Sequence, residues 1–352
     1  MLLQSLLSFL LQLVNPTPEP TAEILFAGDA MQHEDQLVAA QQEDKTYSYD
    51  ECYEYVDSII SAADYAVVNL ETPIGNRRYS GYPCFNAPVS YAIALQNSGF
   101  DMMLTANNHA LDRGSNGLIS TINVLDSISI DHIGTYKNLS DRDSLCAKII
   151  DVNGFKIGFL NYTYDTNGIK PSNGVIVNYI DTVQIKRDII ECRELGAEII
   201  CVAPHWGDEY KLLPVKSQRT LAQFLINQGV DIIFGGHPHV IQPMKLIENP
   251  ITGKNTALIY SLGNFISNMN TRDTRGGAIA KLKLKRDSEG IEFVESLAYR
   301  LIFTKKPNTN KENFIVIPAE QALELRLPHC EEFLNSATEI FDKNNVNISN
   351  WN

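Results

Sequence analysis

Residues 232–239 read Ile232-Ile233-Phe234-Gly235-Gly236-His237-Pro238-His239, a short apolar run that stops on two glycines and then offers two imidazoles. Such a run, β-branched and aromatic and bounded by glycine, predicts a strand covered on both faces. The Gly-Gly step lets the backbone turn tightly, so that both rings of a His-x-His pair can approach one point. The same arrangement recurs four times upstream. Residues 24–27 lead into Gly28-Asp29, residues 65–68 into Asn69-Leu70-Glu71, residues 102–105 into Ala106-Asn107-Asn108-His109, and residues 199–203 into Pro204-His205-Trp206-Gly207. In layered α/β folds the carboxyl ends of the strands open onto one crevice, so five such ends can deliver side chains to one place. Four of the seven histidines, His109, His205, His237 and His239, stand at these ends. Histidines scattered for structural reasons would not concentrate there.

Between these runs, apolar spacing predicts helices over residues 48–62, 88–98, 115–127, 182–195 and 214–228. A second texture begins at residues 147–163, where Asn153-Gly154 marks a two-residue hairpin turn. Residues 257–267, 278–286 and 291–303 read as sequential antiparallel strands. The whole predicts an α/β architecture with two packed mixed sheets flanked by helices. Three segments are expected: an apolar N-terminal stretch with a Pro-rich linker (1–21), a main domain (22–305), and a C-terminal helical appendage and tail (306–352), with helical spacing over 319–343 and a loose Asn-rich end. Residues 1–14 are either a short tethered amphipathic helix or a degenerate export or surface-anchoring segment, since no basic residue precedes the apolar core.

Composition narrows the function. Of the 352 residues, 44% are hydrophobic and 20% charged, enough to bury a sizeable core. Lys and Arg number 29 against 42 Asp and Glu, a formal charge of −13, which argues against nucleic acid as a partner. No run approaches the roughly 20 apolar residues of a membrane-crossing helix. Cys52, Cys84, Cys146, Cys192, Cys201 and Cys330 are widely spaced, with no CxxC pair of a structural zinc site.

The strand-end residues have chemical roles. Asp29 and Glu71 supply hard anionic oxygens, His205, His237 and His239 supply imidazoles, and Asn108 supplies a neutral carbonyl oxygen. Mixed ligation of this kind favours a hydrolytic centre of one or two divalent ions (manganese, zinc or iron), which in a two-metal site stand about 3.5–4 Å apart. Asn69, Asn107 and Asn264 are expected beside the ligands. Trp206 and Tyr210 are either packing residues or substrate platforms, and Glu209 either supports the ligands or is simply solvated. Asp112 and Arg113 are expected to form a local salt link. Ser261 has no visible base partner and is not read as a nucleophile.

In order, the motifs Gly28-Asp29-Ala30-Met31, Asn69-Leu70-Glu71, Ala106-Asn107-Asn108-His109-Ala110-Leu111-Asp112, His205-Trp206-Gly207, Gly235-Gly236-His237-Pro238-His239 and Tyr260-Ser261-Leu262-Gly263-Asn264-Phe265 carry a resemblance. The chain resembles, over residues 23–303, the CapA/PgsA family of poly-γ-glutamate capsule synthesis proteins, which is related to the calcineurin-like metallophosphoesterases. The resemblance implies a four-layer α/β/β/α sandwich with the ligand loops at one edge. It matches Asp29 to the first-motif aspartate, Asn108 to the asparagine of the Asn-His pair, His205 to the lone fourth-motif histidine, and His237 and His239 to the final Gly-His-x-His. His109 then falls where the superfamily keeps a histidine that protonates a leaving group, and Asp29 and His109 become the catalytic candidates.

The resemblance further implies a role in capsule or cell-surface polymer synthesis or export. The expected partners are an anionic polymer or phosphoester-type substrate and membrane-bound polymer-synthesis subunits, at the cell envelope; the alternative location is the cytoplasm. Two departures stand out. Met31 occupies the place of the first-motif histidine, for which His33 is the nearest substitute, and Glu71 takes over from the second-motif bridging aspartate. These departures favour, as the alternative to metal-hydroxide hydrolysis, a non-catalytic accessory subunit with a degenerate metal cleft.

Overall fold

The computed structural model of the chain describes residues 20–75, 78–309 and 312–351; the apolar segment 1–14 lies outside the described residues. In chain order the strands are β1 (Thr21–Ala30), β2 (Tyr65–Leu70), β3 (Met102–Leu104), β4 (Asp131–Ile133), β5 (Thr135–Tyr136), β6 (Lys148–Val152), β7 (Phe155–Thr163), β8 (Ile176–Val177) and β9 (Ile199–His205). They continue with β10 (Ile232–Phe234), β11 (Ile241–Glu248), β12 (Asn255–Leu262), β13 (Asn264–Ile266), β14 (Gly276–Arg286), β15 (Glu292–Lys305), β16 (Ile315–Pro318) and β17 (Ser349–Asn350). One sheet runs β16-β15-β14-β1-β2-β3-β4, with β13 beside β1 and β17 beside β15; the other runs β11-β12-β10-β9-β7-β6. Both are mixed. Strands β1 to β4 are mutually parallel, as are β7, β9, β10 and β12, while β14, β11 and β6 pair antiparallel at their flanks.

Period-two alternation builds the layers. Ile24 and Phe26 of β1 meet Ile199, Cys201, Ile232 and Phe234 between the sheets, whereas Leu25 and Ala27 turn outward onto Tyr53, Val56 and Tyr91. On the second sheet, Ile200 and Val202 turn outward onto Ile185, Ile189, Leu221 and Leu225 of the helices Thr182–Glu194 and Lys216–Asn227. The result is the four-layer α/β/β/α sandwich that the resemblance implies. The Asn153-Gly154 turn joins β6 to β7 with both residues at positive φ, 53° and 86°, as a primed hairpin turn requires.

Three elements differ from their sequence pattern. The helix expected over 48–62 is a 3-10 turn (Asp50–Tyr53) and a short helix (Asp57–Ile60), separated at Val56, whose φ of −126° is not helical. Tyr49, Cys52, Tyr53, Val56 and Ile60 do share one buried face, which is all that their spacing reports. The helical stretch 319–343 divides into Ala319–Glu324 and Cys330–Asn344 around Pro328, which has no N–H to continue a helix, and His329, at φ 65°. Its Asn-rich end is not loose. Val346 exchanges backbone bonds with Met244 and Leu246, and β17 pairs with β15.

The third difference bears on the site. Residues 257–267 are not one strand: β12 belongs to the second sheet, and after Gly263 (φ 69°) the chain crosses to lie as β13 beside β1. Gly28 accepts that crossing, because a Cβ there would stand 1.9 Å from the Gly263 carbonyl oxygen, and the next residue, Asp29, donates its N–H to that same oxygen at 2.9 Å.

A buried carboxyl ties two strands of the second sheet. Asp231, at the start of β10, accepts from the Ile200 N–H of β9 at 2.9 Å, and burial pushes its pKa up to about 6 despite that bond. The folded chain therefore holds this proton more tightly than the unfolded chain. Stability falls as pH rises from about 4 to about 6, by about 3 kcal/mol for a shift of about two units. Asp231→Asn keeps an acceptor for Ile200 and removes the charge. We expect the variant to gain up to about 3 kcal/mol over the parent at pH 7.5 and nothing at pH 4, measured by urea unfolding. An equal difference at both pH values would show that another group carries the dependence.

Candidate metal centre

Each sheet contributes parallel strand ends to one rim. From the first sheet, Asp29 closes β1, and the Glu71 N–H donates to the Ala30 carbonyl at 3.0 Å, which fixes the chain leaving β2 beside β1. Asn107, after β3, donates to the Leu70 carbonyl at 2.8 Å and accepts from the His109 N–H at 3.2 Å. From the second sheet, His205 ends β9. The turn after β10 is stitched to it by Trp206 N–H to the Gly236 carbonyl and Gly236 N–H to the Pro204 carbonyl, both 3.1 Å. That turn holds His237 at φ 100° and His239 at φ 57°, left-handed conformations that cost energy in residues bearing a Cβ.

Asp29, Glu71, His205, His237 and His239 converge there, all buried. Asp29 Oδ2 lies 3.1 Å from His239 Nδ1. Glu71 Oε1 lies 3.4 Å from His205 Nε2 and 3.7 Å from His239 Nε2. Donor atoms gather in three groups: Asp29, Glu71 and His239 form one, Glu71, His205 and His237 a second that shares Glu71, and the exposed Glu209 joins His237 and His239 in a third. Asn69 Nδ2 donates to Asp29 Oδ1 at 2.8 Å and to Glu71 Oε2 at 3.1 Å, holding the two carboxylates in register. Asn108 Oδ1 is 2.8 Å from His205 Nε2, and Asn264 Oδ1 is 3.1 Å from His239 Nδ1.

The electrostatics express crowding. Burial, reinforced by the negative charge of Asp29, pushes the Glu71 carboxyl well above the carboxylate range. Burial acts upward on Asp29 too, but the bond to and charge of His239, helped by His205 and Asn69, bring it down to about 2. His239 is raised to about 9 because Glu71 and Asp29 outweigh its burial. Burial lowers His205 to about 3, and burial together with the neighbouring imidazoles lowers His237 to about 2, so both rings are neutral and ready to ligate.

Two buried atoms, Glu71 Oε1 and His237 Nδ1, have no hydrogen-bond partner. A buried anionic oxygen without a donor is costly, and a cation among these five side chains would satisfy both atoms. The residue set fits a divalent ion.

The other singled-out residues fall as follows. His109 Nδ1 is 2.8 Å from Asp112 Oδ2, which also accepts from the Phe85 N–H at 2.8 Å; Phe85 packs edge-on against the imidazole at 4.6 Å between centroids. Asp112 thus holds a histidine rather than pairing with Arg113, which bonds the carbonyls of Cys84 and Phe85. Trp206 turns into the core, its ring stacked on Tyr260 and its N–H on the Tyr260 carbonyl at 2.9 Å. Glu209 is exposed beside His237 and His239. Met31 is buried, and its carbonyl takes the Tyr91 hydroxyl at 3.0 Å. His33 does not join the donor groups: its Nδ1 faces Gln36 Oε1 at 3.2 Å and the Asn268 N–H at 3.3 Å.

Sequence reasoning missed Asn167, whose amide stands 3.3 Å from Asn108 Nδ2 and 3.5 Å from His109 Nδ1. It also missed Tyr164, whose ring lies 4.6 Å from that of His237. Their only local signal was position, immediately after the C-terminal end of β7.

The family described as bacterial capsule synthesis protein PGA_cap matches residues 23–269. The PGA biosynthesis protein CapA of Bacillus subtilis (strain 168) is 29% identical over 257 residues, 68% of this chain and 63% of its own length. The capsule biosynthesis protein CapA of Bacillus anthracis is 24% identical over 262 residues, 70% of this chain and 60% of its own. The chain thus spans a little under two thirds of these relatives. Among solved structures, the Haemophilus influenzae NAD nucleotidase (NadN) superposes with a TM-score of 0.51 at 14% identity, covering 94% of this chain and 64% of that one, a likeness of fold.

Proposed function

This chain belongs to the PGA_cap family of bacterial capsule synthesis proteins, and from that we propose that it is a metal-dependent phosphoester hydrolase serving capsule or cell-surface polymer synthesis or export at the cell envelope. The observation that carries the proposal is the pair of buried donor groups sharing Glu71, with the His109–Asp112 pair on the adjoining loop. Asp29, Glu71, His205, His237 and His239 would hold one or two ions of manganese, zinc or iron. When bound, such ions supply Lewis acidity toward a phosphoryl oxygen and the means to ionise water near neutral pH.

The chain's own residues do the rest. Asp112, an acceptor when ionised, takes the Nδ1–H of His109 and orients the ring, leaving Nε2 to protonate the departing oxygen. Asn108 and Asn167 fix the loop that carries His109. The substrate is a phosphoester or an anionic polymer, and membrane-bound polymer-synthesis subunits are the partners. Among the described residues no helix is long and apolar enough to cross a membrane.

Hydrolysis of bis(p-nitrophenyl) phosphate with added manganese tests this. We expect turnover in the parent, none in Asp29→Asn, and a fall in kcat of about 10²- to 10⁴-fold in His109→Ala at unchanged metal content. A fully metal-loaded protein inert toward a panel of phosphomonoesters and diesters would instead favour the accessory reading. Met31, an apolar residue at the first-motif position, is the observation on that side.

A further inference from the structure

We propose that the mouth of the metal cleft is a recognition site for an ammonium group, so that the ligand of this centre is a zwitterionic phosphoester: its phosphate lies at the buried donor groups and its cationic head against a rim of tyrosines. This deepens the phosphoester reading and rests on it.

Three tyrosines stand around the centre with much of their surface in solvent: Tyr164 is 44% exposed, Tyr210 51% and Tyr82 73%. Tyr164 and Tyr210 lie against donor histidines, and Tyr82 reaches His109 through Phe85. The Tyr164 ring packs on His237 at 4.6 Å, Tyr210 lies 6.4 Å from His239, and Tyr82 rests on Phe85 at 6.2 Å, which in turn packs on His109. Two of the three are held there by backbone bonds. The Tyr164 N–H donates to the His205 carbonyl at 3.1 Å, and the Tyr210 N–H to the Pro238 carbonyl at 2.9 Å. Tyr210 adopts φ 65°, a left-handed conformation that a tyrosine takes only when its surroundings impose it. An exposed aromatic side chain fixed in this way presents a preorganised surface to a ligand.

Carboxylates are prominent among the charges that act on two of these rings. Glu209, Glu71, Asp165 and Asp208 act on Tyr164, and Glu209 and Glu71 on Tyr210. Asp208 and Glu209 are exposed. The exposed carboxylates Asp208 and Glu209 disfavour a polyanion here, on a chain whose formal charge is already −13. A ligand carrying its own cation beside the phosphate meets the opposite situation. Electron-rich ring faces attract a quaternary ammonium through the ring quadrupole, and the carboxylates add Coulomb attraction.

Phosphocholine and its isostere 3,3-dimethylbutyl phosphate, whose head has uncharged carbon in place of the cationic nitrogen, separate head-group charge from shape. Calorimetric titration of the manganese-loaded protein should show phosphocholine binding about tenfold more tightly, the scale of a desolvated cation–π contact. Tyr164→Leu and Asp208→Asn should each move the ratio toward one, with metal content checked in the same samples. Equal affinities in the parent protein overturn the proposal. The hydrolytic arm uses the p-nitrophenyl esters of both. Water adds to phosphorus, the bond from phosphorus to the nitrophenyl oxygen breaks, and nitrophenolate leaves with phosphocholine or its isostere as the other product. Preference in binding without turnover of either ester overturns the hydrolase reading and supports the rim, whereas turnover without preference does the reverse. Binding of neither phosphate overturns both. Sedimentation with phosphatidylcholine vesicles, compared with phosphatidylglycerol vesicles, tells a lipid-borne head from a soluble or polymer-borne one, and either result supports the rim.

Discussion

Glu71→Gln is expected to empty both donor groups at once, while His237→Ala with His239→Ala empties them by removing imidazoles. The carboxylate is common to the two groups, so one substitution deprives both of their shared anionic oxygen. Metal affinity should fall at least about a hundredfold, since loss of even a supporting partner of a ligand costs up to that much. Metal per chain after desalting, measured by elemental analysis, should drop from one or two to near zero in either variant.

The two variants should part company in the metal-free state. Burial and the charge of Asp29 make the Glu71 carboxylate costly to keep ionised, so Glu71→Gln relieves the apo protein and should not lower its unfolding midpoint. Removing His239 leaves Asp29 without its 3.1 Å partner and should lower the midpoint. In the parent, metal at a hundred times its Kd should add about 2.7 kcal/mol, lost on chelation. Full metal retention in either variant would place the ion elsewhere.

Gly28→Ala carries the second large effect. Its Cβ would stand 1.9 Å from the Gly263 oxygen, 3.0 Å from the Gly263 carbon and 3.3 Å from the Leu262 carbon, all backbone atoms that cannot swing away. Relief requires β1 to part from the crossing between β12 and β13, which breaks the bond from the Asp29 N–H to Gly263 and displaces a metal ligand. Overpacking on this scale reaches or exceeds about 3 kcal/mol. We expect little soluble protein, and weakened metal binding in whatever folds. A Gly28→Ala protein with the parent's unfolding midpoint and metal content would show that the two strands are not so closely apposed.

Much of this was legible before any coordinates. The alternation of Ile24, Leu25, Phe26 and Ala27 and of Ile199 to Ala203 announces strands buried on both faces, and the sheets sort those side chains between layers as the period requires. The residue types at the strand ends supplied the donors of a candidate cation site. Harder to see was where a pattern changes hands. Apolar spacing over 48–62 records a shared buried face but not the break at Val56, and the run 257–267 hides a change of sheet at Gly263.

Side chains met across the fold follow no local signal. The 2.8 Å contact of His109 with Asp112 spans three residues and was readable as some local pairing, whereas the contacts of Asn167 with Asn108 and His109 span 59 and 58. His33 and Met31 sit in the same short segment as Asp29, yet neither joins the donors, because the chain leaving β1 directs His33 to Gln36 and Asn268 and buries Met31. Trp206 follows His205 directly, just past the end of β9, yet His205 faces the centre while Trp206 turns onto Tyr260, 54 residues away.

By itself, then, the order of residues carried the central strands β1, β2, β3, β9 and β10, their apolar faces and the chemical groups at their ends, because those properties depend on neighbours a few positions away; β4, β11 and β16 had no such reading. Tertiary packing decided that Glu71 is shared between two ligand groups, that three tyrosines rim the cleft, and that Gly28 must be bare. Each of these depends on the distance between segments well separated along the chain, and only the closing of two sheets over a common core sets such distances.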